Sequence, residues 1–206
     1  MSNGTDLQLY ILHGREERYL EYKRSMIWTG DDITKVKVAQ AMMAMANLRN
    51  GGVIVIGMQE VSKGVWAPEV MTPEQISSFT QDDIAQWVND YATPAVQFTA
   101  GPFIFNSDQF IIIQVQEFDT TPVICRKQKT IGGVEALRAG AIYYRSNRKN
   151  ESAPISSDED LRELIGLAVD KGISQHINRL RRLGLIPVEI TNQRDIDQYN
   201  TERAGL

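Results

Sequence analysis

Apolar and small side chains recur at Val36, Ala39, Met42, Met43 and Ala46, the three-and-four spacing of a helix over about Ile33 to Asn47 with one closely packing face. Asp31 or Asp32 caps its start by accepting from free backbone N–H groups. Asn50-Gly51-Gly52 stops it, because glycine enters the left-handed region without steric cost. The continuous β-branched run Val53 to Ile56 predicts a strand covered on both faces. Upstream, Leu20-Glu21-Tyr22-Lys23 alternates apolar and charged residues like a short strand. Thr72 as cap and Pro73 at the first helical position open a second helix, in which Ile76, Phe79, Ile84, Trp87, Val88 and Tyr91 recur at helical spacing and which Pro94 ends. Residues 95–105 and 110–118 flank Asn106-Ser107-Asp108 as a hairpin, and further strand material follows in 122–130 and 141–146. From Ser157 the pattern predicts two short amphipathic helices joined at Gly172.

The order strand, helix, strand, helix, several strands, then helices is neither strict alternation nor all-β. It predicts an α+β fold, a mixed sheet with helices packed on it. The expected organisation is a domain over residues 1–150, a C-terminal helical extension over 151–186 and a polar tail over 187–206.

With 206 residues and a net charge of −4, the chain is long enough for one core and has no global basic field. The single cysteine, Cys125, excludes an internal disulfide and a cysteine-rich zinc site, and suits a reducing interior. No apolar run approaches a membrane span, so a cytoplasmic protein without a membrane partner is expected. His13 and His176 belong to no paired-histidine motif, and no nucleophile elbow is present. The glycines before Val53 do not make an ATP phosphate loop: no lysine-serine or lysine-threonine pair follows, and the strand comes after them.

Two constellations carry chemistry. Glu16, Glu17 and Glu21 crowd the start of the first strand, and Glu60 follows the strand that ends at Gly57. If the two strands are neighbours, these carboxylates converge, and a divalent cation that neutralises them can activate water for phosphodiester cleavage; the alternative is a set of solvated surface charges. Between Ile124 and Asn150, the cations Arg126, Lys127, Lys129, Arg138, Arg145, Arg148 and Lys149 face only Glu135, with Tyr143 and Tyr144 among them. That is the composition of a phosphate-tracking surface with stacking partners.

The segment ending in Leu20-Glu21-Tyr22-Lys23, the turn Ala46-Asn47 to Gly51-Gly52, the strand running to Gly57-Met58-Gln59-Glu60, and Gly140 to Asn147 with Tyr144 and Arg145 resemble, in order and spacing, the Schlafen AlbA-type domain over about Gly14 to Asn150. The resemblance implies an α+β nucleic-acid-binding fold acting on DNA or RNA. It also implies a possible endoribonuclease activity on structured RNA such as transfer or ribosomal RNA. The family's two glutamates and aspartate would then fall on Glu16, Glu21 and Glu60 (Gln59 being the neighbouring possibility), holding Mg or Mn. Tyr22 stands where phenylalanine is usual, Arg49 and Asn50 precede the glycines, and Glu60 replaces aspartate. Nucleic-acid binding through Arg126, Lys127, Lys129, Tyr144, Arg145, Arg148 and Lys149 is the leading expectation. A metal-dependent nuclease and a non-catalytic protein-interaction or regulatory module are the alternatives. Apolar stripes on the late helices lead us to expect a homodimer.

Overall fold

The computed structural model describes residues 4–30, 32–148 and 150–185. The polar tail, Lys149 and Asp31 lie outside the described residues, so which aspartate caps the first long helix is left to the sequence. Residues up to Ala168 form one compact unit, and those from Val169 belong to a second.

An N-terminal helix that the sequence pattern did not signal, α1 (Gly4–His13), precedes β1 (Leu20–Lys23), α2 (Asp32–Ala46) and β2 (Gly52–Ile56). β3 (Met58–Ser62) and β4 (Val65–Pro68) make a hairpin, followed by α3 (Pro73–Ser77) and α4 (Gln81–Tyr91). β5 (Ala92–Thr93), β6 (Phe98–Phe105), β7 (Asp108–Val115), β8 (Ile124–Cys125), β9 (Lys129–Ile131), β10 (Val134–Leu137), β11 (Tyr143–Arg145) and β12 (Ser152–Pro154) complete the strands, and α5 (Asp158–Arg182) ends the described chain.

The central sheet has the order β1-β2-β7-β6, with β1 parallel to β2 and the other pairs antiparallel, so it is mixed, as the element order predicts. The two strands that bracket the candidate carboxylates are neighbours: Glu21 lies opposite Ile54. β2 alternates between two buried clusters. Ile54 and Ile56, with Ile111 and Ile113 of β7, face the helix α2 side. Val53 and Val55, with Phe110 and Ile112, join Leu20, Tyr22 and Ile11 of α1 on the other. A strand needs a continuous apolar run only when both faces are covered, and α1 supplies the second cover. Among the described residues no helix is long and apolar enough to cross a membrane.

Three local expectations change. Helix α2 is not apolar on one face alone: Ala41 to Ala46 are all buried, as befits a helix enclosed by sheet and late strands. The helix expected over residues 72–91 is two helices. Thr72 makes a capping box with Gln75 and Pro73 sits in the first turn, but Thr80 starts a second helix by accepting from the Asp83 N–H. The late pair of helices is one continuous helix. Gly172 has neither a proline nor a cap beside it, and a lone glycine weakens a helix interior by only about 1 kcal/mol relative to alanine. The true stop is Gly184, at φ 69°, where the Leu185 and Gly184 N–H groups donate to Leu180 and Arg181 carbonyls.

Candidate functional site

The corner where β1, β11 and the start of α5 meet is held by arginines. Arg145 is fully buried at the end of β11. Its guanidinium ion-pairs with Glu21 and donates to the carbonyls of Arg18 (2.7 Å) and Glu17 (3.0 Å) and to the Ser152 hydroxyl (3.3 Å). Glu21 takes a second ion pair from Lys23. Arg18 donates to the Arg145 carbonyl (2.7 Å) and the Tyr144 hydroxyl (2.8 Å), lies 5.1 Å from the Tyr144 ring centroid, and forks onto both carboxylate oxygens of Glu163 at 2.8 Å. Burial pushes the Tyr144 hydroxyl up to about 12, so it stays a neutral hydrogen-bonding group here.

Two of the residues expected to contact nucleic acid lie inside the fold: Arg145 is fully buried with its donors turned inward, and Tyr144 is buried beside Arg18. A buried, ion-paired arginine whose bonds tie three chain segments together acts on the fold.

Of the three candidate carboxylates, the structure brings two together. Glu16 accepts from the Tyr22 N–H at 3.0 Å and stands within electrostatic reach of Glu21, Lys23 and Arg145. Burial pushes the Glu16 carboxyl above the usual range, and Glu21 adds to this; the Tyr22 N–H, Lys23 and Arg145 pull it back. Glu60 goes elsewhere: it is exposed in β3 and accepts from the Gly64 N–H (2.7 Å) at the hairpin turn. Among the described residues no group of three or more His, Cys, Asp or Glu side chains is placed to hold a metal ion. Glu21 is already ion-paired with Arg145 and Lys23, two cations that a divalent ion beside it would have to displace or tolerate.

Because the folded state holds the Glu16 proton more tightly than the unfolded chain does, this group contributes most to stability in acid. Its contribution declines as pH rises through 4.5 and the folded value above it. The Glu16→Gln variant lacks that decline. Its stability relative to wild type is expected to improve on going from acid to neutral pH, read from thermal unfolding at both; a difference independent of pH would contradict this.

Three of the remaining cations, Arg126, Lys127 and Lys129, pair with aspartates elsewhere. Arg126 donates to the Asp90 carbonyl at 2.8 Å and, with Lys127, pairs with the Asp90 carboxylate. Lys127 lies 4.8 Å from the Tyr91 ring centroid, and Lys129 pairs with Asp32 at 2.6 Å. The Lys127 ammonium holds the Asp90 carboxyl below the usual range, and Asp32 holds the Lys129 ammonium above it. Asp90 also lines a surface cleft of ≈ 790 Å³, with Lys35, Gln86, Asn89, Trp28 and Trp87. Arg148 is exposed and pairs with Glu159 at 2.9 Å, and Lys149 lies outside the described residues. Sequence spacing did not point to Asp90, which lies on a helix distant in sequence from the basic segment; only folding places it beside Arg126 and Lys127.

Asn47 was also missed as a structural residue. Fully buried, it donates to the Val123 (2.9 Å) and Tyr143 (3.0 Å) carbonyls and accepts from the Val123 N–H (2.7 Å), stitching the end of α2 to the late strands.

Comparison with curated proteins returns no match. Among solved structures, the chain resembles the DIP2311 protein from Corynebacterium diphtheriae at 16% identity and a TM-score of 0.46, over 78% of this chain and 29% of that one. It also resembles the N-terminal domain of a putative ATP-dependent DNA helicase RecG-related protein from Nitrosomonas europaea, at 22% identity and a TM-score of 0.46, over 65% of this chain and 87% of that one. This chain thus spans less than a third of the length of the first of these. The family described as Schlafen, AlbA_2 matches residues 16–154, more than half of the sequence. The chain belongs to the Schlafen AlbA_2 family.

Proposed function

We propose that the chain binds nucleic acid through Arg126 and Lys127, which pair with Asp90, and through Lys129, which pairs with Asp32. One observation carries this reading: Arg126 and Lys127, 51 and 45% exposed, share the single carboxylate of Asp90, which leaves a local cationic surplus on an otherwise acidic protein. Such exposed pairs are worth only about 0–1 kcal/mol, so a phosphate can take over these donors at little cost. Backbone phosphates engaged in this way supply affinity without sequence preference. Arg148, on its separate ion pair, can add a further contact.

The test is the salt dependence of binding to single-stranded and duplex oligonucleotides. Reversing Arg126 and Lys127 together to glutamate is expected to weaken binding to all sequences alike. The slope of log K against log salt should flatten by about 0.9 per lost contact on duplex, or about 0.7 on single strands. Unchanged affinity and slope in the double variant would move the interface elsewhere.

Metal-dependent cleavage is the second reading, favoured only by the closeness of Glu16 to Glu21. It needs a third carboxylate beside them, and Glu60 is engaged at the β3–β4 turn. Manganese-stimulated, EDTA-sensitive cleavage of structured RNA, lost in both Glu16→Gln and Glu60→Gln, would establish it.

A further inference from the structure

Along α5, Leu161, Ile165, Val169, Ile173 and Ile177 follow one another at strict four-residue spacing. The first four are 40, 53, 52 and 54% exposed. Rows at this spacing are the ridges by which helices interlock. Val169, at the middle of the row, has a glycine three residues to either side, Gly166 and Gly172. A Cβ at either would meet nothing within 4 Å. Each glycine weakens a helix interior relative to alanine, and neither is required by packing among the described residues. Two notches beside a central knob are what close approach of a second helix uses.

No described residue from Val169 to Leu185 is buried. Helical segments of this length are marginal in water without an apolar partner. The charge along α5 names that partner. Asp158 and Glu159 occupy its first turn, 86 and 61% exposed, and Arg179, Arg181 and Arg182 its last. A second copy running antiparallel sets each acidic start against the other's basic end, whereas a parallel copy would stack arginine on arginine. A helix of this length is about 37 Å long, so a shallow crossing near Val169 keeps both ends within reach.

We propose that α5 is a self-association surface, on which two copies of the chain pair antiparallel along the Leu161–Ile177 row, with Val169 of each seated at the glycine notches of the other. The geometry is isologous, as a closed two-fold dimer requires.

Light scattering of the full chain at micromolar concentration is expected to give twice the 23.2 kDa chain mass. Val169→Glu should give the single-chain mass with unchanged near-ultraviolet circular dichroism. Gly166→Ala with Gly172→Ala should raise helix content and yet weaken the dimer, a combination that a merely structural role for the glycines does not produce. Reversing Arg179, Arg181 and Arg182 to glutamate should raise the dimer dissociation constant at least tenfold, and adding Asp158→Lys and Glu159→Lys should restore it. A monomeric wild type overturns the proposal. In that case, self-association only after removal of residues 186–206 would assign the row to that segment, and monomers in both forms would leave it to a different protein. A dimer indifferent to the triple reversal overturns the antiparallel arrangement, and one that survives Val169→Glu places the interface elsewhere.

Discussion

Replacing Arg145 with methionine is expected to lower the stability of the domain by about 3–5 kcal/mol, the cost of breaking a buried ion pair and leaving the Glu21 carboxylate to Lys23. For a chain of this size that corresponds to a fall in Tm on the order of 10 °C. The variant loses the Glu21 ion pair and the donors to the Arg18 and Glu17 carbonyls and the Ser152 hydroxyl, which together tie β11 to the approach to β1. Arg145→Lys is expected to recover little, since one ammonium cannot replace a planar fork that reaches several acceptors. Glu21→Leu in the Arg145→Met background should recover part of the loss, because removing both charges is far less costly than stranding one. Urea unfolding of the single and double variants reads the cycle. A variant that kept wild-type stability while losing affinity for oligonucleotides would return Arg145 to the binding surface.

The strand and helix periods made the frame of the fold legible. The alternation at Leu20–Lys23, the β-branched run Val53–Ile56 and the Thr72-Pro73 start all report local chemistry; the first two became the strands they predict, and the third starts a helix, though one that ends at Ser77. What escaped the sequence is set by partners distant along the chain. Helix α1 is required because β2 must be covered on its second face, and that need is written in Val53 and Val55, not in residues 4–13. The candidate sites show the same limit. Arg145, Arg148 and Arg126 look alike in a basic segment, and nothing local distinguishes the one that folds inward. Arg145 alternates into the interior beside Glu21, while Arg126 leaves β8 at its exposed end and meets Asp90 on α4. Charge clustering in sequence therefore mixed two roles, one holding the fold and one facing solvent. The placement of Glu60 depends on the chain's path in the same way. Its spacing from Gly57 suits convergence only if the chain continues straight, and the chain instead turns at Gly57 into a separate hairpin.

The glycines that lead from α2 into β2 can be weighed by the same logic, and Gly51→Ala is expected to be among the most damaging single-methyl additions in the chain. Gly51 has φ 71°, and an added Cβ would stand 2.0 Å from the Val115 carbonyl oxygen and 3.0 Å from the Glu117 nitrogen. Both are backbone atoms at the end of β7, so relief requires the strand itself to shift. The left-handed conformation costs about 1–2 kcal/mol for an L side chain, and overpacking of this kind adds about 1–3 kcal/mol, for a total of about 3 kcal/mol. Gly132→Ala is the matched control. It has φ 56° but open space around the added atom, so only the conformational part applies. A glycine placed to cradle a ligand's phosphate would behave differently, costing affinity while sparing the fold. The expected result is an unfolding midpoint in Gly51→Ala well below that in Gly132→Ala, with oligonucleotide affinity unchanged in the folded fraction of both. Equal midpoints, or a loss of affinity confined to Gly51→Ala, would mean that the corner between α2 and β2 serves a ligand and not the packing of β2 against β7.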